Sequence, residues 1–275
     1  MDIFMRFPLG KAKAFTLSYD DGQRQDKRLV EIFNKNGLKC TFNVNSGLYN
    51  APVADNPFKG RMSLDEMIPV YEGHEVAVHT VTHPFLEKLP LSLVSSEVLD
   101  DRRNIEKTWG RIVRGMAYPY GTFNDAVVDC LKSCGIAYSR TVKSTEKFGI
   151  PTDWLRLDPT CHHANSNVFS IADRFLSKHS GRAPWLFYLW GHSFEFDRGV
   201  DNNNWEHAEK LFAYIGGHDD VWYATNIEIY NYVQAYNSLV FSTDAKIVHN
   251  PTSTKVFLCV GGNTMSVNPG ETVEI

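Results

Sequence analysis

The chain has 275 residues, 43% hydrophobic and 13% aromatic, with 28 basic and 32 acidic side chains for a net charge of −4. That is ample for one sizeable core, and without a basic stripe it argues against a nucleic-acid partner. No apolar run reaches the about 18 residues of a membrane span, and the N-terminus lacks a signal-type apolar core, so no membrane partner is expected and cytoplasmic is the default, with secretion requiring a leader removed from this chain.

Strand and helix patterns then alternate. Residues 13–19 (KAFTLSY) read as a strand, and 25–36 as an amphipathic helix closed by Gly37. Residues 39–45 read as a second strand, and 63–72 as a helix with Ser63 as N-cap and Glu66 completing a capping box. Residues 75–79 give a third strand and 92–110 a long helix. Strand 115–118, helix 124–133, strand 136–140, helix 166–180, strand 185–189, helix 204–215, strand 221–224 and helix 226–238 follow. Repeated βα units imply parallel strands with helices packed outside, and the strand count fits a barrel. The tail changes to Val, Thr, Asn and Gly, with a hairpin expected through Gly261, Gly262 and Asn263. The expected division is a barrel over 1–238 and a small β appendage over 239–275, packed on its own barrel or on a neighbour; the oligomeric state stays open. Cys40, Cys130, Cys134, Cys161 and Cys259 fit no zinc ribbon and demand no oxidising compartment.

In such folds chemistry sits at the C-terminal ends of strands, and four such ends carry polar motifs. Asp20 and Asp21 follow the first strand. Adjacent carboxylates repel unless a cation or hydrogen bonds offset the charge, and in extended backbone they point to opposite sides, one toward a metal and one toward a water; Asp-Asp-Gly is also a common turn. His79 and His83, four apart, meet on one side of a helical turn, a geometry that chelates zinc-like ions. Two imidazoles and one carboxylate leave coordination positions open. Pro119-Tyr120-Gly121 and Trp190-Gly191-His192 follow two further strands, with Tyr120, Trp190 and Pro119 candidates to contact a sugar and His192 a candidate proton donor. His162 and His163 either line this cleft or are ordinary loop residues, and His74 reads as structural.

In this order SYDDG, HTVTH preceded by GHE, YPYG and LWGH resemble the polysaccharide deacetylase family, the NodB-homology group of carbohydrate esterase family 4. The motifs span residues 18 to 192 and leave the β tail uncovered. The resemblance implies a distorted (β/α) barrel of about seven parallel strands. It implies a metal-dependent hydrolase that removes acetyl groups, N-acetyl before O-acetyl, from an acetylated oligo- or polysaccharide. Asp20 matches the general base, Asp21, His79 and His83 the metal ligands, His192 the general acid, and the Tyr120 backbone N–H an oxyanion donor. The implied cofactor is one divalent ion, zinc first, with cobalt or another divalent ion as the alternative. One departure stands out: the arginine that pairs with the base in the family is Ala117 here. Arg156 is the expected substitute, Asp153 or Asp158 the expected orienter of His192, and Asp20 is expected to titrate higher than in its relatives. Two rivals remain: an amidohydrolase of the same fold acting on a non-sugar amide or cyclic ureide, and a non-catalytic carbohydrate-binding relative.

Overall fold

A computed structural model describes residues 2–49, 60–178 and 181–275. In chain order come β1 (Ile3–Arg6), β2 (Lys13–Asp20), α1 (Asp26–Lys35), β3 (Cys40–Val44), α2 (Leu64–Val70), β4 (Glu75–Val78) and α3 (Leu91–Trp109). Then follow β5 (Gly115–Ala117), α4 (Asp125–Ser133), β6 (Tyr138–Arg140), β7 (Cys161–His162), α5 (Val168–Ser177), β8 (Trp185–Gly191), α6 (Trp205–Ile215), β9 (Val221–Tyr223) and α7 (Asn226–Asn237). The tail adds β10 (Val240–Phe241), β11 (Ile247–His249), β12 (Val256–Val260), β13 (Asn263–Val267) and β14 (Thr272–Glu274).

Local chemistry accounts for these elements. β2 is buried along its whole length, as a strand covered on both faces must be, and its aromatic and branched residues suit that place. On α1, Leu29, Val30, Ile32 and Phe33 make the inward stripe. The capping box at Ser63 and Glu66 forms as expected, although α2 stops at Val70, one residue after an internal Pro69. The helix expected over 166–180 is α5, which begins two residues later and runs to Ser177; positions 179 and 180 lie outside the described residues.

The main sheet is parallel throughout, in the order β6-β5-β4-β3-β2-β8-β7. β9 pairs with the first half of β2, at Lys13 to Phe15, while β3 takes the second half, at Leu17 to Asp20. A parallel bridge between Arg140 and Leu157 carries the ring from β6 toward β7, so residues 157–162 close the barrel between β6 and β8. Phe15, Leu17, Phe42, Val78, Met116, Phe187 and Leu189 belong to the main core beneath the helices.

The tail hairpin turns at Gly261 and Gly262, with Val260 opposite Asn263. β12 also pairs antiparallel with β1, a strand the sequence does not announce, because four residues beside a Pro-Leu-Gly turn carry no period of their own. β10, β11 and β14 form a second three-stranded sheet. No helix among the described residues is long and apolar enough to cross a membrane. All five cysteines are free, and only Cys130 is not buried.

Candidate active site

The ends of β2, β4, β5, β6 and β8 converge on one rim. Asp20 closes β2, and the chain then turns sharply because Asp21 adopts a left-handed φ of 80°. This replaces the expected extended arrangement: the turn brings both carboxylates to the rim rather than to opposite faces. Asp21 N–H donates to the Asn43 carbonyl at 2.9 Å, which pins the turn to β3.

His79 and His83 meet on the same rim, but not through a helical turn. Thr80 and His83 have φ of 69° and 59°, and these two left-handed residues fold the loop back on itself. His83 N–H donates to the Thr80 hydroxyl, and Asn45 holds the His79 and Thr80 carbonyls from β3's end. The His79 Nδ1–H donates to the Ala117 carbonyl at 2.8 Å, which leaves Nε2 facing Asp21 Oδ1 at 4.0 Å. His83 Nε2 faces the same oxygen at 3.9 Å. Non-glycine residues held at positive φ are strained by about 1 kcal/mol or more each. With Tyr120 (φ 58°), four of them ring this site.

The residue that pairs with Asp20 is Arg140, at the end of β6. Its Nη2 donates a hydrogen bond to Asp20 Oδ2, and both side chains are almost wholly buried. The guanidinium carbon sits over the Trp190 ring, 4.4 Å from its centroid. Arg156 is elsewhere: it pairs with Asp153 and Asp125 at the surface. The expected substitute is therefore corrected from Arg156 to Arg140, one strand over from Ala117. The expected rise in the Asp20 pKa is corrected with it. Burial works to raise this carboxyl, but Arg140, His79 and His192 outweigh burial and hold it at about 2. For Asp21, burial is likewise outweighed by His192, His79, Arg61 and His83, and its pKa lies below the ordinary value.

His192 directly follows β8, its Nε2 3.8 Å from Asp20 Oδ2. Neither Asp153 nor Asp158 orients it; Asp158 accepts from the Thr141 hydroxyl instead. Its carboxylate partner is Glu195, whose Oε2 lies 3.5 Å from His192 Nδ1 and accepts from the His192 backbone N–H. The same oxygen faces His162 Nε2 at 2.9 Å and His163 Nε2 at 3.5 Å. Burial works against the His192 imidazolium, but the Glu195 carboxylate beside its Nδ1 and the charges of Asp20 and Asp21 raise its pKa above the ordinary value. Glu195 itself is held far below the usual carboxylate range: His162 and His192 outweigh its burial. His163 stands between the Tyr19 hydroxyl and Asn203 and packs so tightly that a Cβ on Gly191 would come within 1.9 Å of its Nδ1. The glycine before His192 is thus required by the imidazole behind it.

Tyr120 is half exposed and stacks on Phe85 at 3.9 Å between centroids, with the His83 ring against it at 4.5 Å. Pro119 is buried beneath. Glu195, Arg140 and Phe85 carried no recognisable spacing; only the short range from His192 to Glu195 offered a signal, and His162 takes the cleft position that was one of its two expected readings.

A divalent cation fits the first cluster. Asp21, His79 and His83 each offer a ligand atom, all within 4.8 Å of one another. Burial, the largest influence on each, keeps His79 below its ordinary pKa and holds His83 at about 4, so both imidazoles are neutral at pH 7 with a lone pair to give. The carbonyl on His79 Nδ1 is the kind of partner that fixes a ligating imidazole. A second cluster, His162, His163 and Glu195, is equally compact. There the His162 Nδ1 accepts the Ala164 N–H, so its Nε2 carries the proton and donates to Glu195. That cluster is a hydrogen-bonded network already satisfied without an ion.

Residues 9–139 match the model of a family described as polysaccharide deacetylase. The match includes Asp20, Asp21, His79, His83 and Tyr120 and stops short of Arg140 and His192. A chitooligosaccharide deacetylase from Bradyrhizobium sp. (strain ANU 289) is 32% identical over 124 residues, 44% of this chain and 52% of the relative. The matched stretch spans a third to about half the length of the curated relatives. Among solved structures, a mutant of the peptidoglycan deacetylase PdaC from Bacillus subtilis superposes with a TM-score of 0.50 at 18% identity, over 82% of this chain and 94% of that one. A pseudoenzyme of the CE4 family from Bacillus anthracis gives 0.51 at 16% identity, over 82% and 68%. These two likenesses establish the distorted barrel.

Proposed function

We propose that this chain, a member of the polysaccharide deacetylase family, hydrolyses acetyl groups from an acetylated oligo- or polysaccharide, with N-acetyl preferred over O-acetyl. The observation that carries the reading is the arrangement around Asp21 Oδ1: two neutral imidazoles face one ligand carboxylate, while Asp20 and His192 stand beside it with Nε2 and Oδ2 3.8 Å apart. Asp21, His79 and His83 would hold a divalent cation, zinc or cobalt among the candidates, which when bound polarises a carbonyl and lowers the pKa of water.

The remaining work falls to side chains. Asp20, ionised far below neutral pH, accepts the proton of the attacking water. Arg140 fixes that carboxylate, and Asn43 donates to its other oxygen at 2.8 Å. The Tyr120 N–H, presented by a left-handed turn, is the donor proposed for the developing oxyanion; one such donor is typically worth about 3 kcal/mol. His192, kept protonated by Glu195, delivers its proton to the departing nitrogen. The preference for N-acetyl rests on this step, since an amine leaves poorly unless protonated while an alkoxide gains less. The exposed Tyr120 and Phe85 rings and the half-buried Trp190 supply apolar faces for a sugar.

Acetate release across a panel of acetylated oligosaccharides, with and without chelator, tests the reading. Chelator should abolish release and added Zn²⁺ or Co²⁺ restore it. Asp20→Asn should lose activity by about a hundredfold or more while still taking up the cation. Release from simple amides but from no sugar would favour the amidohydrolase; glycan binding with no turnover of any substrate would leave only a binding protein.

A further inference from the structure

Each carboxylate of the Asp20–Asp21 pair has its own arginine, and the two arginines are placed differently. Arg140 grips Asp20 Oδ2, an oxygen outside the proposed ligand set. Arg61 grips Asp21 through Oδ1, at 3.3 Å from its Nη2. That is the same atom both imidazoles face, His83 Nε2 at 3.9 Å and His79 Nε2 at 4.0 Å. We infer that Arg61 is a built-in competitor of the cation: it neutralises Asp21 in the metal-free protein and thereby weakens metal binding. The inference rests on the reading that Asp21, His79 and His83 hold a divalent ion.

Arg61 is fixed in this place. An antiparallel bridge joins it to Gln23, and hydrogen bonds run on either side, Arg24 N–H to the Gly60 carbonyl at 2.8 Å and Met62 N–H to the Gly22 carbonyl at 2.9 Å. The Arg61 and Asp21 side chains are each 14% exposed, so bulk water screens the pair weakly. A guanidinium stays charged at any pH the protein survives.

Two consequences act in the same direction. Like charges repel, so a cation entering beside Arg61 meets a fixed positive charge. A donor on Oδ1 also draws electron density from the oxygen that must ligate. The opposing effect, that Arg61 orients Asp21 for the metal, is small here. Asp21 is already held by its N–H on Asn43 and by Gln23 Nε2 on Oδ2 at 3.4 Å.

The test is a chelator-competition titration with Zn²⁺ and with Co²⁺ on the wild type, Arg61→Gln and Arg61→Lys, with thermal unfolding read on the same samples. Arg61→Gln should bind either ion about tenfold more tightly or better, the scale on which groups around a ligand alter affinity. Arg61→Lys keeps the charge and should stay within about threefold of wild type. Without metal, Arg61→Gln should melt below wild type, and saturating Zn²⁺ should raise its melting temperature by more. Binding by Arg61→Gln that equals or falls below wild type, while the wild type takes up metal, overturns the competitor and leaves the metal site standing. Uptake by neither overturns both, and uptake by Arg61→Gln alone supports the inference most directly.

Discussion

Glu195 Oε2 faces three imidazoles, and their roles differ. His162 donates from Nε2 because its Nδ1 accepts the Ala164 N–H. Burial, and after it the charge of His162, pushes His163 well below its ordinary pKa, so it stays neutral. The surroundings of His192 raise its pKa, and Arg198 holds the other Glu195 oxygen at 3.2 Å. Glu195 therefore raises the His192 pKa and favours the protonated form that the proposed acid needs. In Glu195→Gln the imidazolium loses its counter-ion. The alkaline limb of kcat/KM should fall by about one pH unit or more, an ordinary displacement for a nearby opposite charge, while the acid limb stays in place. An alkaline limb that does not move would show that Asp20 and Asp21 alone support the acid.

Elements with a period of their own were readable, as was the Gly261-Gly262 hairpin turn, but the turns that shape the candidate site were not. The strands and helices from β2 to α7 appear near their expected positions because burial on a repeated face leaves a pattern. β7 has two residues and closes the barrel, yet so short a segment shows no alternation. The residue types proposed as metal ligands were legible from their spacing to one another. How they converge was not, since nothing in Asp21, Thr80, His83 or Tyr120 announces a left-handed backbone. Arg140 was hidden for a related reason: it lies inside an ordinary strand pattern, and only sheet order brings β6 to Asp20. Tertiary ties between elements are equally silent. Asp26, the first residue of α1, accepts the Tyr71 hydroxyl at 2.5 Å from the end of α2. Burial raises its carboxyl to about 7, although hydrogen bonds from Ser193 and Tyr71 pull the other way. A carboxyl raised on folding binds its proton more tightly in the native state. Its contribution to stability is complete below about pH 4 and is lost as pH rises through 7. Unfolding free energies measured from pH 4 to 8 should show wild type losing roughly 4 kcal/mol relative to Asp26→Asn, because a tenfold change in proton affinity on folding is worth about 1.4 kcal/mol. Parallel curves for the two proteins would mean that Asp26 titrates normally.

At the scale of the molecule, the tail is fastened to the barrel by the other end of the chain. β1 pairs with β12, while Met5 and Phe7 on and beside it pack against Ala14, Leu186 and Tyr232 of the barrel. The Tyr232 hydroxyl, on α7, donates to the Arg6 carbonyl at 2.7 Å and accepts the Phe257 N–H at 2.9 Å. One hydroxyl thus links helix, first strand and tail. Val248, Val256, Leu258 and Val267 then close over Ala235 and Leu239 of the last helix and its exit. A unit so joined should melt together with the barrel. Leu258 is fully buried, and Leu258→Ala should lose about 2–5 kcal/mol to the cavity left behind. For a chain of this size that lowers the melting temperature by roughly 4–10 °C, in a single transition. Calorimetry checks the form of the curve. A small early transition ahead of an unshifted main one would show instead that the tail unfolds by itself. The proposed cation site lies at the ends of barrel strands that the tail does not touch through pairing, so metal uptake by Leu258→Ala at 25 °C should match wild type.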